Sequence, residues 1–245
     1  MSKKYQKSPI IEAICEFRFD KTTNWDMALP GLIYKEVEAE FPKRKPVKHF
    51  EINLTAGEDL IERRYNQFER VNFFSKDDKA FIQIGKDHVS IHQFEPYESW
   101  AKFLPKIKTG FDSYRSVVKP DNPIRIGLRY INLIHISELT FDIKKYFDIY
   151  PHFSKNFPED FTFFSIKVDF PYEEKGDLLQ LRLKSARSRK ENHSAILLDL
   201  DYGTTQPKNV VLEQVLNWLQ QAHENVYRIF EASITDNTRS LFGEE

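Results

Sequence analysis

The chain has 245 residues, 14% of them aromatic, with 21 phenylalanines and only 8 glycines. That length and aromatic content can build a sizeable core without disulfides or metal, and they argue against disorder. A net charge of −1 and a single cysteine, Cys15, exclude an overall field that gathers nucleic acid, an intramolecular disulfide and a Cys-based zinc site.

Residues 10–19 alternate, with Ala13, Cys15, Phe17 and Phe19 on one side and Glu12, Ile14, Glu16 and Arg18 on the other. This is the period of a strand with one buried face. The charged residues also interrupt the apolar start, so the segment reads as neither signal peptide nor membrane span. A helix follows over 28–41, with Leu32, Ile33, Val37 and Phe41 at helical spacing and Pro42 as its stop. The basic stretch KRKPVKHF reads as a polar loop. Candidate strands lie at 49–55 and 61–74. A hairpin over 80–84 and 88–94 turns at Gly85-Lys86-Asp87.

Residues 96–118 carry a helical stripe that Pro105 and Gly110 weaken. Residues 124–136 form a long strand. Its apolar set moves from Ile124, Ile126, Leu128 and Tyr130 to Ile131 and Leu133, which predicts a bulge near Arg129–Asn132. Residues 138–160 form an irregular aromatic crossover with a short helix at 141–149. Strands at 161–171, 177–185 and 194–203 precede a long helix over 207–235.

The order of elements predicts an α+β fold: a curved antiparallel sheet with helices on one face and a long C-terminal helix. A helix-grip-like sheet wrapped around that helix is one such architecture. One domain over 1–245 is expected, with a weak subdivision near 138–160.

The chain lacks GxxxxGK[ST], GxGxxG, GxSxG and HExxH, so nucleotide-loop, α/β-hydrolase and zincin chemistry are not indicated. Asp199 and Asp201 share one strand face, ~7 Å apart along it, and such a pair can hold a divalent metal. A solvent-facing row paired with Arg182 and Lys184 is the plainer reading. Lys184, Arg187, Arg189 and Lys190 form a basic hairpin loop that could hold phosphate or nucleic acid, or simply protect the sheet edge. A second basic group is Lys43, Arg44, Lys45 and Lys48. His88 and His92 share a face but lie ~13 Å apart along an extended chain, too far for one metal. His223 at the edge of the last helical stripe reads as a hydrogen-bonded core residue. Arg125, Arg129 and Asn132, set beside Glu16, form either a ligand-binding cavity wall or an ordinary exposed face.

Three segments, SPIIEAICEFRFD at 8–20, IGLRYINLI at 126–134 and the end at 217–243, resemble a sporadically distributed family of uncharacterised bacterial proteins of about this length. The resemblance implies an accessory role of the defence or toxin–antitoxin kind, and it brings no activity or site residues. The expectation is a cytoplasmic, non-catalytic binding protein that acts through a protein partner or as a homodimer. No cofactor and no membrane contact are expected, and nucleic acid is the less favoured partner. A metal-dependent nuclease or phosphoesterase using Asp199 and Asp201, or a small-ligand binder with a cavity between sheet and last helix lined by Arg129 and Glu16, are the alternatives.

Overall fold

The computed structural model of the protein describes residues 5–20, 25–56, 61–158, 161–172, 176–205 and 211–243, with side chains described outside 48–69. Among these described residues nine strands form one antiparallel sheet. They are β1 (Ile10–Phe19), β2 (Lys43–Ala56), β3 (Ile61–Phe74), β4 (Ala80–Gly85), β5 (His88–Phe94), β6 (Pro123–Ile136), β7 (Ser165–Tyr172), β8 (Asp177–Ala186) and β9 (Ser194–Thr204). Their order across the sheet is β2-β3-β4-β5-β1-β6-β9-β8-β7. The helices are α1 (Leu29–Val37), α2 (Trp100–Val118), α3 (Val215–Ser233) and α4 (Asp236–Phe242). Among the described residues no helix is long and apolar enough to cross a membrane.

The two halves repeat one arrangement. In each, a first strand is followed by a crossover and a meander whose last strand returns to pair with the first, and a 19-residue helix completes the half. β5 pairs with β1 in one half and β9 with β6 in the other, while β1 and β6 join the halves antiparallel.

Alternation in β1 places Ala13, Cys15 and Phe17 in register with Tyr130, Leu128 and Ile126 of β6. These residues and Leu198, Leu200 and Leu181 are buried in one apolar cluster with α2 and α3. Phe17 packs on Phe111 of α2 with centroids 4.4 Å apart. The Cys15 thiol is buried in this cluster and burial pushes its pKa up, which keeps it an inert packing group.

Several sequence expectations change at their boundaries. Residues 43–48, expected as a loop, begin β2 and pair with β3 from Lys43 opposite Phe74. Charge density there decorates an edge strand: Lys43 bonds Asp78 at 2.7 Å, and Arg44 lies over the Tyr34 ring. Helix α2 runs unbroken through Pro105 and Gly110. Gly110 is required by close approach, since a Cβ there would come 2.7 Å from Ile91 Cγ1. The expected helix at 141–149 is a single 3₁₀ turn, Ile143–Lys145. The last helix starts at Val215 after a 3₁₀ turn at Leu212–Gln214, and 206–210 lie outside the described residues.

The irregularity near Asn132 belongs to β1. Ile10 faces Asn132 and Glu12 faces Ile131, so Ile11 is the extra residue, while β6 stays in register with β9 throughout. A second shift, between Arg18 and Phe19, places the extra residue at Ile124 of β6. The buried row of β6 therefore continues through Ile126, Leu128, Tyr130, Asn132, Ile134 and Ile136, with a polar residue in the middle.

Candidate functional site

Two polar constellations lie on opposite faces of the sheet. The face away from the helices carries a charged row over β5, β1, β6 and β9. Arg125 reaches Glu16 at 2.7 Å and Asp201 at 3.3 Å. It lies flat over the paired glycines Gly127 and Gly203; a Cβ at either would meet its guanidinium, at 2.5 Å and 3.0 Å. Arg129 holds Asp199 through two 2.7 Å bonds. Arg182 approaches the same carboxylate at 3.7 Å. Burial alone would raise the Glu16 carboxyl, but the cations around it, Arg18 and Arg125 among them, hold it below the usual range. Burial raises Asp201.

Glu16, Arg125, Arg129, Asp199 and Asp201 thus meet on this face, each carboxylate engaged by a guanidinium. Among the described residues no group of three or more His, Cys, Asp or Glu is placed to hold a metal ion. Lys184, Arg187, Arg189 and Lys190 are exposed around the β8–β9 hairpin, and Arg189 pairs with Glu95 at 2.8 Å.

Beside this row the structure places a hydrogen-bonded chain that sequence reasoning missed. His88 Nε2 lies 3.0 Å from Ser90 Oγ, which lies 2.9 Å from His92 Nε2. His92 Nδ1 lies 2.9 Å from Glu12 Oε1. One direction satisfies every group but one: His88 donates to Ser90, Ser90 to His92, and His92 to Glu12. The remaining group, His88 Nδ1, is buried without a hydrogen-bond partner among the described residues and lies 3.8 Å from Glu16 Oε2. Ser90, His92 and Glu12 have nucleophile, base and acid geometry. However, Ser90 is only 2% exposed, and β5 is laddered on both sides, leaving no free amides for an oxyanion. The chain is a packed polar seam rather than an acyl-transfer site.

The other constellation is a cleft of about 710 Å³ between the sheet and α3. Its floor is Tyr130, Asn132 and Leu200, and the start of α2 and residues of α3 wall it. Tyr130 is the hub: its hydroxyl lies 3.3 Å from the Tyr97 hydroxyl and 3.1 Å from His223 Nδ1. His223 stacks on Trp100 at 4.5 Å, and Trp100 donates to Gln220 at 2.8 Å. Burial lowers His223 to about 4 and raises Tyr130 and Tyr97, so at neutral pH all three are uncharged.

Asn132 is 2% exposed. Its Nδ2 donates to the Leu198 carbonyl at 3.0 Å and, more weakly, to Tyr130 at 3.4 Å, while Oδ1 takes no hydrogen bond from the described residues. Glu98 and Glu224 line the cleft, and among the described residues its lining includes no Lys or Arg. Of the residues expected to form a ligand wall, only Asn132 reaches this cleft; Glu16, Arg125 and Arg129 point to the opposite face. Tyr97, Trp100 and Tyr130 are indistinguishable from core aromatics in the sequence. The one local signal was His223 at the edge of a helical apolar stripe.

Burial also lowers His88, to about 3. Both histidines sit below their ordinary value, so the unfolded chain binds more protons than the folded one below pH ~6.5. Their stability contribution is complete above that pH and is lost as pH falls toward 4 and 3. Urea unfolding at pH 7 and pH 5 is expected to show a loss of about 2 kcal/mol for each histidine. His88→Asn is expected to flatten the pH dependence by its own share. An unchanged slope in that variant contradicts the assignment.

No protein-family model matches the chain, and no curated protein matches it in sequence.

Proposed function

We propose that this protein is a binding protein without catalytic chemistry of its own, and that it takes a small organic molecule in the cleft between β6, β9 and α3. The observation that carries this reading is Asn132: an amide in the floor of an aromatic-walled cleft whose acceptor oxygen takes no hydrogen bond from the described residues. A ligand donor in the cleft can bond that oxygen in place of solvent. The volume lies within the range of small-molecule sites. Among the described residues the lining has two carboxylates, no basic side chain and several aromatic faces, which favours a neutral or positively charged ring over an anion.

Three probes of one shape and different charge test this: tryptamine, indole-3-acetamide and indole-3-acetate. In thermal-shift titrations, tryptamine and the amide are expected to raise the Tm with saturation, and the acetate least. Binding stabilises the folded state by RT ln(1 + [L]/Kd), about 2.7 kcal/mol at a hundredfold excess over Kd. Trp100→Ala is expected to lower the affinity for the two preferred probes about tenfold. If none of the three shifts the Tm, the ligand-cleft reading falls.

A further inference from the structure

Among the described residues β7 is one edge of the sheet and pairs only with β8. An open strand edge presents unpaired amides and carbonyls to any strand that fits. Its residues are largely exposed, while Leu179, Leu181 and Leu183 of β8 are fully buried.

Ile166, Val168 and Phe170 stand opposite Leu183, Leu181 and Leu179, on the helix-facing side of the sheet. Phe170 remains 38% exposed there. Lys167 and Asp169 lie on the other face, 3.5 Å apart. The Phe164 carbonyl accepts from Ser185 of β8. Even-numbered residues therefore turn their main-chain groups to β8, and odd-numbered ones turn theirs to the open edge. Pro171 is odd-numbered, so its missing N–H interrupts no bond to β8.

We propose that β7 pairs antiparallel with β7 of a second copy of this chain, about a twofold axis at Val168. In that register Lys167 faces Asp169 of the second copy and Asp169 faces its Lys167. The two residues exchange both main-chain bonds and form ion pairs on one face. On the other face Ile166 meets Phe170, and Val168 meets itself.

The charges select this register. Moving the axis to residue 167 sets Lys167 against Lys167, and moving it to 169 sets Asp169 against Asp169; like charges directly opposite are destabilising. The apolar surface continues past the start of the strand. Phe153, Phe157 and Phe161 are 48%, 60% and 42% exposed, and Phe161 packs on Phe164 with centroids 5.7 Å apart. The result is an isologous dimer whose two sheets join into one.

Sedimentation of the full chain at micromolar concentration tests the pairing. Wild type is expected to run as a dimer of the 29.1 kDa chain. Lys167→Asp and Asp169→Lys are each expected to raise the dimer dissociation constant about tenfold, and the double exchange to restore it to within a few-fold. Val168→Cys, treated with a mild oxidant, gives an independent readout. Two copies of Val168 face each other at the axis, so a disulfide-linked dimer is expected in the variant and not in wild type, whose one cysteine is buried. A monomeric wild type, a double exchange as weak as the single changes, or no cross-link at residue 168 overturns the proposal.

Discussion

Replacing Arg129 with methionine is expected to cost about 3 kcal/mol, far more than loss of a surface ion pair. The reason lies in Asp199, which is only 4% exposed and receives both of its short bonds from Arg129. Arg182, at 3.7 Å, is a poor substitute. Without Arg129 the carboxylate is left buried with weak compensation. The bond from Asp199 raises the Arg129 pKa, so the guanidinium stays charged across the accessible range. The double variant Arg129→Met/Asp199→Leu is expected to recover most of the loss, because a buried ion pair is worth little more than well-packed apolar groups. Denaturant unfolding of the two single variants and the double closes the cycle. A cost below about 0.5 kcal/mol for Arg129→Met would class the pair with ordinary surface bridges.

Phe17→Ala is expected to cost about 3–5 kcal/mol. Phe17 is fully buried in β1 near the middle of the sheet, between Val89 and Ile126 in the flanking strands. Its ring rests on Phe111 of α2. Ladders on both sides prevent β1 from moving inward, so a cavity remains and adds to the lost transfer energy. Leu32→Ala is the control. Leu32 fits the helical stripe of α1 by spacing but is 48% exposed, so its loss is expected to stay near 0.5 kcal/mol. Chemical unfolding of both variants checks the contrast; equal costs contradict the placement of the core.

Alternation made much of this fold legible in the sequence. Period two located β1, the β4–β5 hairpin and β8, because each has one buried face. The start of β2 was illegible because an edge strand protected by charge reads like a loop. The apparent break in the apolar row of β6 marked no extra residue in that stretch; the bulge lies at Ile11 of β1, where nothing in the sequence marked it. Asn132 in a buried row was the feature that mimicked a bulge in β6.

The candidate site was harder to read for a physical reason. Its parts come from the segment before α2, from β6 and from α3, and only the fold brings Tyr97, Tyr130 and His223 within hydrogen-bond range. Tyr97 and Tyr130 taken alone read as core aromatics, and only His223, at the edge of an apolar stripe, stood out. The charged row on the opposite face shows the converse: Glu16, Arg125, Arg129, Asp199 and Asp201 stood out in the sequence because charge is conspicuous, and the structure spends them on one another.

Occupancy of the cleft can be read from the protein's three tryptophans, Trp25, Trp100 and Trp218. Only Trp100 lines the cleft, while the Trp218 indole donates to buried Asp177. In a proton–nitrogen NMR titration with tryptamine, the Trp100 indole signal is expected to move with saturation while those of Trp25 and Trp218 hold still. Equal movement of all three, or none of Trp100, would contradict a ligand site between the sheet and α3.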